Sequence, residues 1–171
     1  MKTRLAVLLL AILVPAAFVA AHGATDIQKF YKVSDKVATG GQPTPAQFID
    51  LAREGYKTVI CLRESGEFDA ASEKKAATSR GLAYISIPVD KENPRPEEVD
   101  QFLAALSHPK AFPVFIHCAT GNRAAAFWMI RRVVVEQWQV ADAEREARLA
   151  GLKSDTMKNF ALDYIQTHSA K

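Results

Sequence analysis

Three short apolar runs stand out along the chain: Lys57-Thr-Val-Ile-Cys-Leu, Leu82 to Val89 with Tyr84, Ile85 and Ile87, and Phe112-Pro-Val-Phe-Ile-His. Each reads as a buried strand. Between and after them the spacing turns helical. Thr44 is a good N-cap, Pro45 suits the first helical position and Gln47 completes a capping box, so a helix is expected to run to about Arg53, with Gly55 as its stop. A second helix is predicted from Glu67 to Arg80, ended by Gly81. A third runs from Pro96 to Ser107, with Glu97 and Glu98 placed to suit the helix dipole. A long helix follows from Arg123 to about Gln137, then two more near 140–150 and 155–167. The mixed segment Asp26–Lys36 reads as an edge strand or hairpin, and Lys36 to Pro43 as a lead-in to the first helix.

Strands and helices alternating at this spacing predict an α/β fold, with crossover units around a mostly parallel sheet. No repeat, low-complexity run or internal linker divides it, so residues 22–171 are expected to form a single domain.

The first residues stand apart. Lys2 and Arg4 precede an unbroken apolar run from Leu5 to Val14, and small residues follow, with Val19 and Ala21 at the −3 and −1 positions of a cleavage site. This is the three-part pattern of an export signal, residues 1–21, cleaved after Ala21. It predicts a periplasmic or secreted protein. A retained membrane anchor is the alternative, but the apolar run falls short of the ~20 residues of a span. Without Lys2 and Arg4 the chain keeps 20 basic and 19 acidic residues, so its basic character nearly vanishes. With no dense Lys/Arg block, no nucleic-acid partner is expected, nor a stable membrane span after cleavage. Two cysteines, Cys61 and Cys118, are too few for a disulfide scaffold, although export would allow them to pair.

The segment Pro113-Val-Phe-Ile-His-Cys-Ala-Thr-Gly-Asn-Arg carries the chemistry. A strand ends at His117, Cys118 starts a tight turn, Gly121 allows the backbone to bend, and Arg123 opens a helix. Ligands of α/β sheets sit at the carboxyl ends of strands, where Cys118 falls. A loop running into a helix aims backbone N–H groups at one point, and the helix N-terminus adds positive potential. Arg123 adds a planar fork that matches two oxygens of a tetrahedral anion. The same field favours the Cys118 thiolate over the thiol. A nucleophile beside an oxyanion site suits attack on phosphorus or sulfur. The competing reading is an inert buried cysteine.

Other residues take supporting roles. His117 is expected to brace the loop through its ring. Ala119, Thr120, Gly121 and Asn122 make the anion loop, with Thr120 and Asn122 orienting either the loop or the anion. Asp90, directly after the second strand, is the candidate general acid, with Glu92 second. Arg63 either helps bind substrate or pairs with Glu64 or Glu67. The four histidines show no metal-ligand spacing, so neither a metal nor any cofactor is expected. Phe127, Trp128 and Trp138 are expected in the core.

The stretches GGQPTPAQFIDLAREGYKTVICLRES, GLAYISIPVD and PVFIHCATGNRAAAFW resemble the beta-lactamase-hydrolase-like phosphatase domain family, within the cysteine-dependent protein tyrosine and dual-specificity phosphatase superfamily. The similarity spans roughly residues 28 to 168. It implies a three-layer fold with a central sheet of four or five strands, Cys118 as nucleophile, Arg123 as anion clamp and Asp90 in the position of the acid. Two departures matter. Four residues, not five, separate Cys118 from Arg123, and Ala124 stands where phosphatases usually carry Ser or Thr. The shorter spacing is similar to single-domain rhodaneses, which carry sulfur as a cysteine persulfide. The leading expectation is a phosphate-ester hydrolase working through a cysteinyl-phosphate. The alternatives are a sulfurtransferase working through a Cys118 persulfide and a non-catalytic oxyanion-binding module. The expected partner is a phosphorylated or sulfur-bearing small molecule or protein.

Overall fold

The computed structural model describes residues 23–168; the expected export signal lies outside the described residues. Five strands form one sheet: β1 (Tyr31–Ser34), β2 (Val37–Gly40), β3 (Thr58–Cys61), β4 (Ala83–Ser86) and β5 (Val114–His117), in the order β1-β2-β5-β3-β4. All neighbours are parallel except the β1–β2 hairpin at one edge. The helices are α1 (Gln47–Arg53), α2 (Ala70–Thr78), α3 (Pro96–Ala105), α4 (Asn122–Val134), α5 (Val140–Ala150) and α6 (Asp155–His168). The expected α/β class and mostly parallel sheet are present.

Side chains of a strand alternate between faces, and this alternation divides the core in two. Val114, Ile116 and Cys118 join Ile60 and Leu62 on the face covered by α3 to α6. Phe115 and Val59 join Phe48 and Leu51 of α1 and Ala77 of α2 on the other. The central strand β5 is therefore apolar on both sides, as a doubly covered parallel strand must be.

The structure differs from the sequence reading in four places. The segment expected to lead into the first helix contains strand β2, buried along its whole length. Gly40 fits there because a Cβ would come within 3.1 Å of the Phe115 ring. The first helix begins at Gln47 rather than Pro45, and Thr44 receives the Gln47 side chain on its backbone N–H without its own side chain capping the helix. Glu67 lies in a short 3-10 turn, Ser65–Glu67, and Asp69 caps α2 by accepting from the Ser72 N–H. Phe127 and Trp128 are core residues as expected, but Trp138 is 37% exposed and lies under the Arg132 guanidinium, 4.0 Å from its charge centre. No helix among the described residues is long and apolar enough to cross a membrane.

Phe115 stacks on Phe30 at 6.0 Å and meets Tyr56 edge-on at 6.3 Å, and is fully buried. Truncating it leaves a cavity under the strand that carries the site. Phe115→Ala is expected to lower unfolding free energy by about 3–5 kcal/mol in urea titrations.

Candidate active site

β5 delivers His117 and Cys118 to the carboxyl edge of the sheet. The chain then turns through Ala119 and Thr120 to Gly121, whose φ of 90° is left-handed and costs a residue with a Cβ steric strain. Gly121 is the N-cap of α4. Its N–H donates to the Cys118 Sγ at 3.2 Å, and its carbonyl accepts from the Ala125 N–H at 2.9 Å. The Asn122 and Arg123 N–H groups lie in the first turn of α4, where they have no intrahelical acceptor. Four features thus converge on one point: a sulfur, a backbone N–H, a helix N-terminus and a guanidinium. The loop is held against Gly41, which sits so close that a Cβ would come within 3.0 Å of the Ala119 carbonyl oxygen; the Gln42 N–H donates to that oxygen.

Arg123 is 3% exposed. Its Nη1 donates to Glu67 Oε1 at 2.5 Å and to the Val89 carbonyl at 2.9 Å, and its Nη2 donates to Glu67 Oε2 at 2.8 Å. This two-pronged pair neutralises a guanidinium removed from water and fixes its plane. The Arg123 hydrogen bonds hold the Glu67 carboxyl well below its ordinary range, at about 2. Sequence reasoning did not connect Glu67 with Arg123, since a pair separated by 56 positions leaves no local signal.

Arg63 packs among Gln42, Glu67 and Phe68. It donates to the Glu67 carbonyl and, at 2.5 Å, to Gln42 Oε1, and its guanidinium lies 4.5 Å from the Phe68 ring centre. Its Nε also lies 3.5 Å from Glu67 Oε2. Asn122 orients the loop: its Oδ1 accepts from the Lys153 and Ser154 N–H groups at 2.6 and 2.9 Å, and its Nδ2 donates to Thr120 Oγ1 at 3.2 Å. The stretch between α5 and α6 is thereby tied to the anion loop.

A cavity of about 290 Å3 opens over Cys118. The loop forms its floor, and Glu67, Lys91, Glu92, Ser154 and Met157 line its walls. Ser154 and Met157 have no signature in the sequence. Asp90 is not among the lining residues. Its carboxylate accepts from the Glu92 N–H at 2.8 Å and from Asn93 Nδ2 at 3.3 Å, and those hydrogen bonds, first among them Glu92's, hold it below its usual range. A larger cavity of about 440 Å3 lies at the other end of the sheet, beside Lys36, Trp128 and Arg131, remote from the sulfur.

His117 is fully buried on the face of the sheet opposite Cys118, stacked on Phe115 at 5.7 Å. Its Nδ1 lies 3.4 Å from the Cys118 carbonyl, and its Nε2 lies 3.3 Å from Glu73 Oε1. Burial opposes its protonation, but Cys61 and Glu73 outweigh it and raise the imidazole to about 9. Cys61 and Cys118 are both free. They occupy opposite faces of the sheet, Cys61 beside His117 and Glu73 and Cys118 in the α4-side core, so a bridge between them would need one to leave its face.

Losing the Glu67 charge should expose its role. The folded-state carboxyl is depressed, so the unfolded chain binds more protons as pH falls from about 4.5 to about 2, and stability drops across that window. Glu67→Gln is expected to cost about 1–3 kcal/mol at neutral pH, from a buried cation left short of a partner. It should also flatten the acid limb of a stability-versus-pH profile measured by chemical denaturation.

Comparison with known proteins gives a consistent picture. The sequence model of a family described as "DSP-PTPase phosphatase fused to NAD+ Kinase" matches residues 15–165. A beta-lactamase hydrolase-like protein of Xylella fastidiosa is 31% identical over 110 residues, which are 62% of this chain and 25% of that protein. One from Agrobacterium fabrum is 28% identical over 120 residues, 68% of this chain and 28% of that protein. The chain thus spans about a quarter of the length of these curated relatives. Among solved structures, the DUF442 protein of Shewanella putrefaciens superposes with a TM-score of 0.74 at 26% identity, covering 86% of this chain and 97% of that one. TpbA of P. aeruginosa, in complex with phosphotyrosine, shares the fold with a TM-score of 0.66 at 21% identity, covering 85% and 86%.

Proposed function

We propose that this chain, which belongs to the DSP-PTPase phosphatase family, hydrolyses phosphate monoesters by attack of Cys118 on phosphorus. The observation that carries the reading is the convergence of the Cys118 Sγ, the N-terminus of α4 and the buried Arg123 on one cavity.

In the first step the Cys118 thiolate forms a bond to phosphorus as the ester P–O bond breaks, and the leaving oxygen takes a proton from a carboxylic acid. In the second, the carboxylate takes a proton from water as that water attacks the cysteinyl-phosphate, which releases inorganic phosphate and regenerates both the thiolate and the acid. Arg123 and the loop N–H groups act on the equatorial oxygens, where positioned charge stabilises the transition state. The Glu67 carboxylate takes Nη1 and Nη2 from one side, so the guanidinium presents a fixed plane to the anion.

We assign the proton donor to Asp90. Its neighbour Val89 accepts from Arg123, which places the start of the loop beside the clamp. The role requires Asp90 to leave the Glu92 and Asn93 donors that favour its ionised form. Aryl phosphates, phosphotyrosine among them, are the substrate class to test first, because the structural neighbour TpbA holds phosphotyrosine. The reaction is placed in the exported compartment on the strength of the Leu5–Val14 apolar run.

The test is a paired assay of aryl-phosphate hydrolysis and thiosulfate-to-cyanide sulfur transfer on purified protein. Hydrolysis abolished in Cys118→Ser is the expected result. Sulfur transfer alone would replace phosphorus by a Cys118 persulfide. Neither activity, with phosphate still bound, would make the site a binding module. Asp90→Asn is expected to reduce kcat by roughly 10²–10⁴-fold, the range of general acid catalysis. A larger loss in Glu92→Gln would move the acid to Glu92, which lines the cavity.

A further inference from the structure

Beneath the anion loop, on the opposite face of the sheet, three side chains of metal-ligating type meet. The parallel register of β3 and β5 sets Cys61 directly beside His117, and α2 lowers Glu73 onto both. One ligand atom from each, Cys61 Sγ, His117 Nε2 and a Glu73 carboxylate oxygen, all lie within 4.8 Å of one another. Cys61 and His117 are 0% exposed and Glu73 is 7% exposed. We propose that Cys61, Glu73 and His117 form a closed, structural Zn2+ site.

Four observations carry this. First, the His117 Nε2 is a buried polar atom without a hydrogen-bond partner. Glu73 Oε1 is near it at 3.3 Å, within ion-pair range but outside hydrogen-bond geometry. A metal between them gives the ring nitrogen its missing partner and takes a lone pair of the carboxylate. Second, the other ring nitrogen faces the Cys118 carbonyl at 3.4 Å. A metal-bound histidine commonly sets its tautomer this way, with the distal N–H turned to a carbonyl and the free lone pair to the ion. Third, the carboxylate is held from behind: Tyr84 Oη donates to Glu73 Oε1 at 2.6 Å and Gln42 Nε2 donates to Oε2. Such outer contacts are what orient a ligating carboxylate. Fourth, the donor set suits the ion. Thiolate, imidazole and carboxylate are zinc ligands, and one thiolate with one carboxylate balances the charge of Zn2+ in a site closed to water.

The distances require modest closure. Bonds of about 2.0–2.3 Å in a tetrahedron put ligand atoms roughly 3.3–3.8 Å apart, against the 4.8 Å limit within which these atoms lie. Binding releases two protons to solvent, one from the Cys61 thiol and one from the His117 imidazolium, with no change in oxidation state. The spacing of histidines along the chain gave no hint of this site, because its ligands come from two strands and a helix. Its consequence is mechanical: the ion would anchor the residue immediately before Cys118.

The experiment uses the full chain. Zinc content by elemental analysis and zinc affinity by competition with a chromophoric chelator give stoichiometry and strength; about one zinc per chain is expected. Substituting Co2+ should produce a near-ultraviolet thiolate-to-cobalt charge-transfer band that Cys118→Ser retains and Cys61→Ser loses. Glu73→Gln should weaken zinc binding at least tenfold, and it decides the question if circular dichroism shows Cys61→Ser unfolded. Absence of zinc binding by the wild-type chain overturns the proposal. So does a cobalt band lost in Cys118→Ser, which would mean capture by the anion-loop thiol instead, or zinc affinity unchanged in Glu73→Gln.

Discussion

A guanidinium that is 3% exposed must be neutralised where it lies, and the way Glu67 meets that demand arranges the rest of the site. The carboxylate takes both terminal nitrogens of Arg123, so the side chain loses its rotational freedom. To supply that carboxylate, the chain after β3 must fold back in a short 3-10 turn at Ser65–Glu67. Arg63 then secures the turn by donating to the Glu67 carbonyl and reaching Gln42. The Val89 carbonyl takes the remaining bond of Nη1 and draws the segment after β4 to the same place. One buried charge thus gathers the segments after β3, β4 and β5 around the Cys118 loop.

The fold was legible where the sequence runs continuously apolar. Val59 to Leu62 and Val114 to Ile116 carry enough apolar side chain to be buried whatever surrounds them, and the helices between have stops in Gly55 and Gly81. β2 was not legible for a physical reason. Val37-Ala-Thr-Gly is short and carries mostly small side chains, and at Gly40 the Phe115 ring occupies the space that a side chain would take. Its burial follows from its neighbours rather than from its own hydrophobicity. Trp138 shows the converse: an aromatic residue read as core finds its partner in a guanidinium at the surface.

The site was legible along its own backbone and illegible across space. Cys118, Gly121 and Arg123 are contiguous, and Gly121 has the left-handed φ that the turn demands. Asn122 could be placed in the loop, but its grip on Lys153 and Ser154 joins segments about thirty positions apart. Glu67 and Glu73 look alike in the sequence, both acidic residues near a helix start. Only the tertiary arrangement assigns one to the guanidinium and the other to the imidazole.

The strict alternation of a strand supplies the last step. His117 and Cys118 are adjacent in the chain, yet the pleat sends them to opposite faces, one to the α2 side beside Cys61 and the other to the mouth of the cavity. That separation keeps the two thiols apart without any need for a reducing partner. It also means the loop is supported from below by groups that never touch an anion above it. A rigid underside matters more in a loop of four residues between Cys118 and Arg123 than in a longer one, because fewer torsions remain to absorb a displaced strand end. Precision at the sulfur is therefore set from the opposite face of the sheet.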